Sequence, residues 1–231
     1  MLHPRDVPGA HDGGADRLFV VDDPDSGGQS VEPAVVSALS RETDLPVRAM
    51  LRLNDTYTTT GGELTRLVGL AEDYLAVGAE GVVFGFLTPD LVVDVDVCAH
   101  LADALDGVPW SFHRAIDASL ETDLAWRQVR GLPRLDAVLS AGSPRGLETG
   151  AEELTDRAAA DPDVARLLMA GGGLRGEHVP WLMRAGVRQF HVASSVRPGG
   201  SWKAHVDAGH VRAWRMLLDD AHDRAAGRPT G

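Results

Sequence analysis

Seven short apolar runs recur along this chain, and the gaps between them carry the 3.6-residue periodicity of amphipathic helices. The runs are RLFVV (17–21), PVRAML (46–51), GVVFGF (81–86), PWSFH (109–113), DAVLS (136–140), RLLMA (166–170) and QFHVA (189–193). The helical candidates lie at 31–43, 63–77, 95–105, 123–130, 147–160, 178–185 and 206–226. Strands separated by helices need crossover connections, and crossovers give a parallel sheet. A joint recurs too: Gly14-Ala15-Asp16, Gly78-Ala79-Glu80 and Gly186-Val187-Arg188 each stand between a helix and a strand. Glycine there can take the left-handed conformation that closes a helix. The glycine clusters that follow strands, Gly27-Gly28, Gly142 and Gly171-Gly172-Gly173, form neither GxGxxG nor the Walker pattern. The reading is therefore α/β: a TIM-type (β/α) barrel with seven recognisable strands. It forms one domain over 1–231, with its first βα unit missing or degenerate and residues 1–12 irregular.

Composition narrows the partners. The formal net charge is −12 and the acids are scattered, which argues against nucleic acid and against an anionic membrane surface, both of which need clustered Lys/Arg. Cys98 is the single cysteine, so no intramolecular disulfide and no CxxC motif can form. The opening MLHPRDVPGAHD has no apolar h-region, and no stretch approaches the roughly 18 apolar residues of a membrane span. A cytoplasmic protein is expected.

Side chains alternate faces along a strand. In a barrel the outer face meets helices and the lumen accepts polar groups near its rim, which sets the phase of each run. Trp110 and Phe112 belong against helices, so Ser111 and His113 point inward. Val47, Ala49 and Leu51 go outward, leaving Arg48, Met50 and Arg52 inside. Phe190 and Val192 go outward, leaving His191 and Ala193 inside. In DAVLSAG, Ser140 and Gly142 are inward. Barrel enzymes place their chemistry where strands end, so Arg52, His113, Ser140 and His191 are candidate pocket residues. Arg48, lower down, calls for an acid on a neighbouring strand, because an unpaired buried charge is too costly to keep. Arg114 and Asp117 can pair at the end of their strand. Gly171, Gly172 and Gly173 let backbone N–H groups approach an anion, or simply make a tight turn.

These stretches together resemble the CutC family, associated with copper homeostasis and folded as a (β/α)8 barrel. GGADRL (13–18), SGGQSVEP (26–33), GAEGVVFGFLTPD (78–90), FHRAID (112–117), VLSAG (138–142) and AGGGLRGEHVPWLMRAGVRQFHVASS (170–195) match its motifs in order. FHRAID is nearly the family's FHRAFD, which carries its residues over to His113, Arg114 and Asp117. The arginine after the family's third strand falls on Arg52, and its late histidine on His191. Four features depart from the pattern. The family's first strand and helix have no match, and Phe19 and Val21 stand where it has a luminal glutamate and a cysteine. RLNDTYTTTG (52–61) replaces its RPRGGDF loop, and Leu91 replaces the glycine of its LTxDG.

The resemblance implies copper as ligand and a homodimer or higher oligomer. Cu(I), however, prefers thiolate and thioether donors; Cys98 lies in a helical segment, and His113 with His191 would make only a two-histidine site. The residues themselves suggest a second reading, a small phosphorylated or carboxylated metabolite. His113 is then the acid or base, Arg52 and Arg114 neutralise substrate charge, Asp117 orients one of them, and Ser140, Gly142, Gly171–Gly173 and His191 bind ligand. A non-catalytic scaffold is the third.

Overall fold

A computed structural model describes residues 1–227. Strands β1 (Leu18–Val20), β2 (Val47–Met50), β3 (Gly81–Phe84), β4 (Trp110–Phe112), β5 (Leu135–Ser140), β6 (Leu168–Ala170) and β7 (Gln189–Phe190) follow one another in chain order, and the pairings are parallel. The helices are α1 (Val7–Gly13), α2 (Pro33–Ser40), α3 (Gly61–Ala76), α4 (Val95–Ala104), α5 (Thr122–Arg130), α6 (Leu147–Ala160), α7 (Pro162–Leu167), α8 (Val179–Arg184) and α9 (Ala208–Ala225). Each apolar run of the sequence holds one strand. Contacts divide the chain into two compact units: Met1–Val7 with Asp16–Asp136, and Pro8–Ala15 with the chain from Ala137 onward.

In the first unit, helix α3 shows how the pattern becomes structure. Thr60 caps it reciprocally with Glu63: Glu63 N donates to Thr60 Oγ1 at 3.3 Å and Thr60 N donates to Glu63 Oε2 at 3.0 Å. Leu67, Ala71 and Tyr74, one face at helical spacing, are buried. Burying a side chain the size of Leu67 contributes about 2 kcal/mol. Gly78 ends the helix at φ +107°, and Ala79 N reaches back to Tyr74 O at 2.9 Å, a Schellman closure. Gly14 and Gly186 have the same left-handed φ, so the recurrent joint is one backbone device used three times.

Across β1 to β4 the strand phase is as read, whereas in the second unit the register Ser140–Ala170–Phe190 puts Ser140 and Phe190 on one face, so Ser140 and His191, both read as inward, lie on opposite faces of the sheet. Trp110 stacks on Phe84 at 3.9 Å between ring centroids, 7° from parallel, and its indole N–H donates to Pro133 O. Such a pair adds about 1 kcal/mol beyond area burial. On the opposite face, Arg48 and Ser111 meet: Arg48 Nη1 donates to Ser111 Oγ at 2.6 Å. The acids that Arg48 required are Glu80 (Nε–Oε2 2.9 Å) and Asp136 (Nη2–Oδ2 2.6 Å).

Residues 1–12, read as irregular, are not. A 3-10 turn at Pro4–Asp6 leads into α1, started by a reciprocal cap between His3 and Asp6 with Pro4 in the first turn. Met1 N donates to Phe19 O, and Val21 N donates to Met1 O at 3.1 Å. By the strand's alternation those groups face away from β2, so Met1 satisfies two backbone groups on the free side of β1.

In the second unit, α8 and α9 bury Val179, Met183 and Ala221 against Phe190, Trp214, Leu217 and Leu218. The glycines of α1 serve close approach rather than irregularity: a Cβ on Gly9 would fall 2.0 Å from Val206 O.

Candidate functional site

Arg52 follows β2 and is only 3% exposed. Its backbone exchanges hydrogen bonds with Ser30: Arg52 N donates to Ser30 Oγ, and Ser30 N donates to Arg52 O, each at 2.9 Å. The guanidinium then gathers two loops. Nε donates to Thr56 O (3.2 Å), Nη1 to Ser26 O (2.8 Å) and Gly28 O (3.2 Å), and Nη2 to Asp55 O (2.6 Å). A guanidinium has five N–H donors, so one on Nη2 is left. Among the described residues no carboxylate pairs with this group. Carbonyl dipoles and the face of Tyr57, 4.8 Å from Cζ, solvate the charge without neutralising it.

His113 continues from β4, its N–H donating to Phe84 O at 3.0 Å. It then caps the 3-10 turn Arg114–Ala118, and its Nδ1 accepts from Ala115 N at 3.1 Å. That bond assigns the tautomer: Nδ1 holds the lone pair, so the proton sits on Nε2. Nε2 is buried and meets no acceptor among the described residues. Burial first, and the Arg52 charge second, push the imidazole down to a pKa of about 3. The ring is therefore neutral at physiological pH and presents one hydrogen-bond donor.

This revises the acid–base role read from the sequence. Nε2 already carries its proton, Nδ1 is occupied, and protonation is opposed by burial and by Arg52. It also leaves the ring no lone pair for a metal in this tautomer, because that of Nδ1 accepts from Ala115 N and Nε2 carries the proton. Arg114 and Asp117 do pair, Nε to Oδ2 at 2.8 Å, with the Asp117 side chain 2% exposed. Asp117 thus orients Arg114.

Tyr57 escaped the sequence reading. Its ring centroid is 5.5 Å from that of His113, tilted by 52°, and its other contact is Arg52. Its carbonyl accepts from Leu87 N at 2.9 Å, which ties the 52–60 loop to the end of β3. The available signal was a lone aromatic in a polar loop that departs from the family motif.

The remaining candidates lie in the second unit. Ser140 is buried; its Oγ accepts from Gly142 N at 3.0 Å and its carbonyl from Gly171 N at 3.0 Å. His191 N donates to Ala170 O at 2.8 Å, and a Cβ on Gly171 would sit 2.9 Å from His191 Cβ. Gly172 and Gly173 are left-handed, and Gly172 O accepts from Leu147 N. Turn geometry and close packing account for all three glycines.

The donor set does not suit copper. Cys98 is fully buried, and burial pushes its thiol up to about 12, which opposes the thiolate that Cu(I) prefers. Among the described residues no group of three His, Cys, Asp or Glu side chains is placed to hold a metal ion. Nor, among them, is any helix long and apolar enough to cross a membrane.

Parallel strands each leading into a helix, with charged and hydrogen-bonding groups in the loops after the strands, define a TIM-type (β/α) protein. Solved structures agree on the fold. The CutC protein of Streptococcus agalactiae, described in terms of copper homeostasis, aligns with a TM-score of 0.64 at 22% identity over 77% of this chain and 88% of its own. The 4-hydroxy-tetrahydrodipicolinate synthase of Methylacidiphilum fumariolicum aligns at 0.60 and 14% identity over 96% of this chain and 69% of its own. The chain belongs to the CutC family, whose model matches residues 3–196. A CutC family protein of Klebsiella pneumoniae is 28% identical over 88% of this chain and 85% of its own length, and one of Bacteroides fragilis 28% over 84% and 78%.

Proposed function

We propose that this CutC-family chain binds a small carboxylated or phosphorylated metabolite through Arg52 and His113, and that any part it plays in copper homeostasis runs through that ligand rather than through coordination of copper. The observation that carries this is that two buried groups are incomplete among the described residues: a guanidinium with no counter-acid and a neutral imidazole whose Nε2–H lacks an acceptor. One oxyanion satisfies both. It supplies the missing negative charge and accepts from Nε2–H and from the remaining Nη2–H. Charge-assisted bonds of this kind are about twice as strong as neutral ones. Binding is favoured over proton-transfer chemistry because His113 does not take up a second proton near neutral pH and Asp117 is engaged by Arg114.

Thermal unfolding with pyruvate, phosphoenolpyruvate and inorganic phosphate tests this. A ligand present at about 100 times its Kd adds about 2.7 kcal/mol. His113→Asn keeps an acceptor for Ala115 N–H and loses the inward donor, so it should abolish most of that gain. A gain identical in wild type and His113→Asn rejects the site. In parallel, Cu(I) presented against a strong chelator should stay with the chelator. Retention that falls on Cys98→Ser or His113→Asn would restore the copper reading.

A further inference from the structure

The proposed ligand cannot reach its donor in the conformation described here. His113 is 4% exposed and Arg52 3%, and Nε2 is enclosed. Two aromatic rings contact the imidazole: Phe112, fully buried beneath it, and Tyr57. Tyr57 also lies over the Arg52 guanidinium, and it is half-buried, so it alone of these groups has a face toward water. We propose, resting on the reading above, that Tyr57 is the gate of the Arg52–His113 site. Its ring must leave the guanidinium before an oxyanion can meet Nε2–H.

The loop is built to let the ring move alone. Its backbone is anchored on both sides of Tyr57: Arg52 holds the carbonyls of Asp55 and Thr56, Leu87 N holds the carbonyl of Tyr57, and Asn54 Oδ1 accepts from Thr56 N at 2.8 Å. The phenol makes no hydrogen bond among the described residues. Rotation therefore sacrifices the ring's contacts with Arg52 and His113 but no hydrogen bond of the phenol, and an incoming anion takes the ring's place at the guanidinium. A site open for a fraction of the time binds with an affinity reduced by that fraction. The ring thereby selects ligands whose contact with Arg52 outcompetes its own, that is, small oxyanions over neutral polar molecules of the same size.

The test needs no ligand to begin. In the 15N-labelled full chain, long-range 1H–15N spectra of the imidazoles should show His113 as the Nε2–H tautomer, with a proton that exchanges slowly with water. Tyr57→Ala should speed that exchange at least tenfold, Tyr57→Leu should fall between, and Tyr57→Phe should match wild type; backbone amide spectra report whether each variant is folded. A proton already in fast exchange in wild type overturns the gate. So does an unchanged rate in folded Tyr57→Ala or, if that variant does not fold, in Tyr57→Leu. Acetate and inorganic phosphate are then titrated. A shift of Nε2–H that saturates at a tenfold lower concentration in Tyr57→Ala supports gate and site together. Accelerated exchange with no shift from either anion supports the gate and rejects the anion reading.

Discussion

His113 makes acid stability a direct readout of the buried imidazole. In the unfolded chain its pKa is the ordinary 6.5, whereas in the folded protein it is about 3. Between those values the unfolded state binds a proton that the folded state refuses, so stability rises with pH across this window and falls as pH drops below 6.5. From pH 7 to pH 5 the unfolded ring goes from mostly neutral to about 97% protonated while the folded ring stays neutral. At about 1.4 kcal/mol per unit on the steep part, the contribution of this one residue over that interval is about 2 kcal/mol. His113→Asn removes the titration and keeps the cap, since Asn is among the best residues at a helix start. Its loss of ring packing is the same at both pH values. Urea denaturation at pH 7 and pH 5, followed by circular dichroism, should show wild type losing about 2 kcal/mol more than the variant; the other eight of the nine histidines act equally in both proteins. Equal losses, within about 0.5 kcal/mol, would mean that the ring titrates normally in the folded state, and the tautomer argument would fall with it.

Arg48→Met strips Glu80 and Asp136 of their shared cation and should destabilise by about 3 kcal/mol, the low end for a broken buried pair because both acids reach solvent; a loss below about 1 kcal/mol in urea would show the network to be ornamental. Gly171→Ala places a methyl 2.7 Å from Leu139 Cδ1 and should cost about 1–3 kcal/mol by overpacking. Gly69→Ala, in the middle of α3 with open space around it, should instead gain about 0.5–1 kcal/mol. Thermal scans of the two variants in one buffer give the comparison, and equal signs would refute it. Cys98 should resist iodoacetamide at pH 8 until denaturant is added, because burial holds the thiol protonated; prompt labelling of the native chain, read by mass, would contradict its placement.

The strands and seven of the helices were legible because each buries one face, and burial writes a period into the sequence. What escaped lacks a period. Helix α1 contains Pro8, Gly9 and Gly13, poor helix formers whose presence follows from close packing on Val206 and Val211. Helix α7 is six residues long and begins where Asp161 accepts from Asp163 N and Val164 N, so its periodicity merges with that of α6 and with the strand after it. The same contrast runs through the site. Arg52 and His113 could be placed inward from the alternation of their strands, and Arg48 could be assigned an acid partner because its charge demanded one. Tyr57 sits in a loop, where no alternation fixes a direction. The protonation of His113 depends on a hydrogen bond to a backbone amide two residues on, which side-chain identity does not encode.

That amide has a wider meaning. The chemical character of this pocket is set by the N–H of Ala115, a residue whose own side chain contributes nothing polar. While it faces Nδ1, the imidazole can only offer hydrogen; with proline at position 115 the donor would vanish, and the same ring would be free to turn a lone pair toward a cation. Relatives with identical histidines could thus differ in what they hold, and the difference would lie in an N–H that a search for matching side chains passes over.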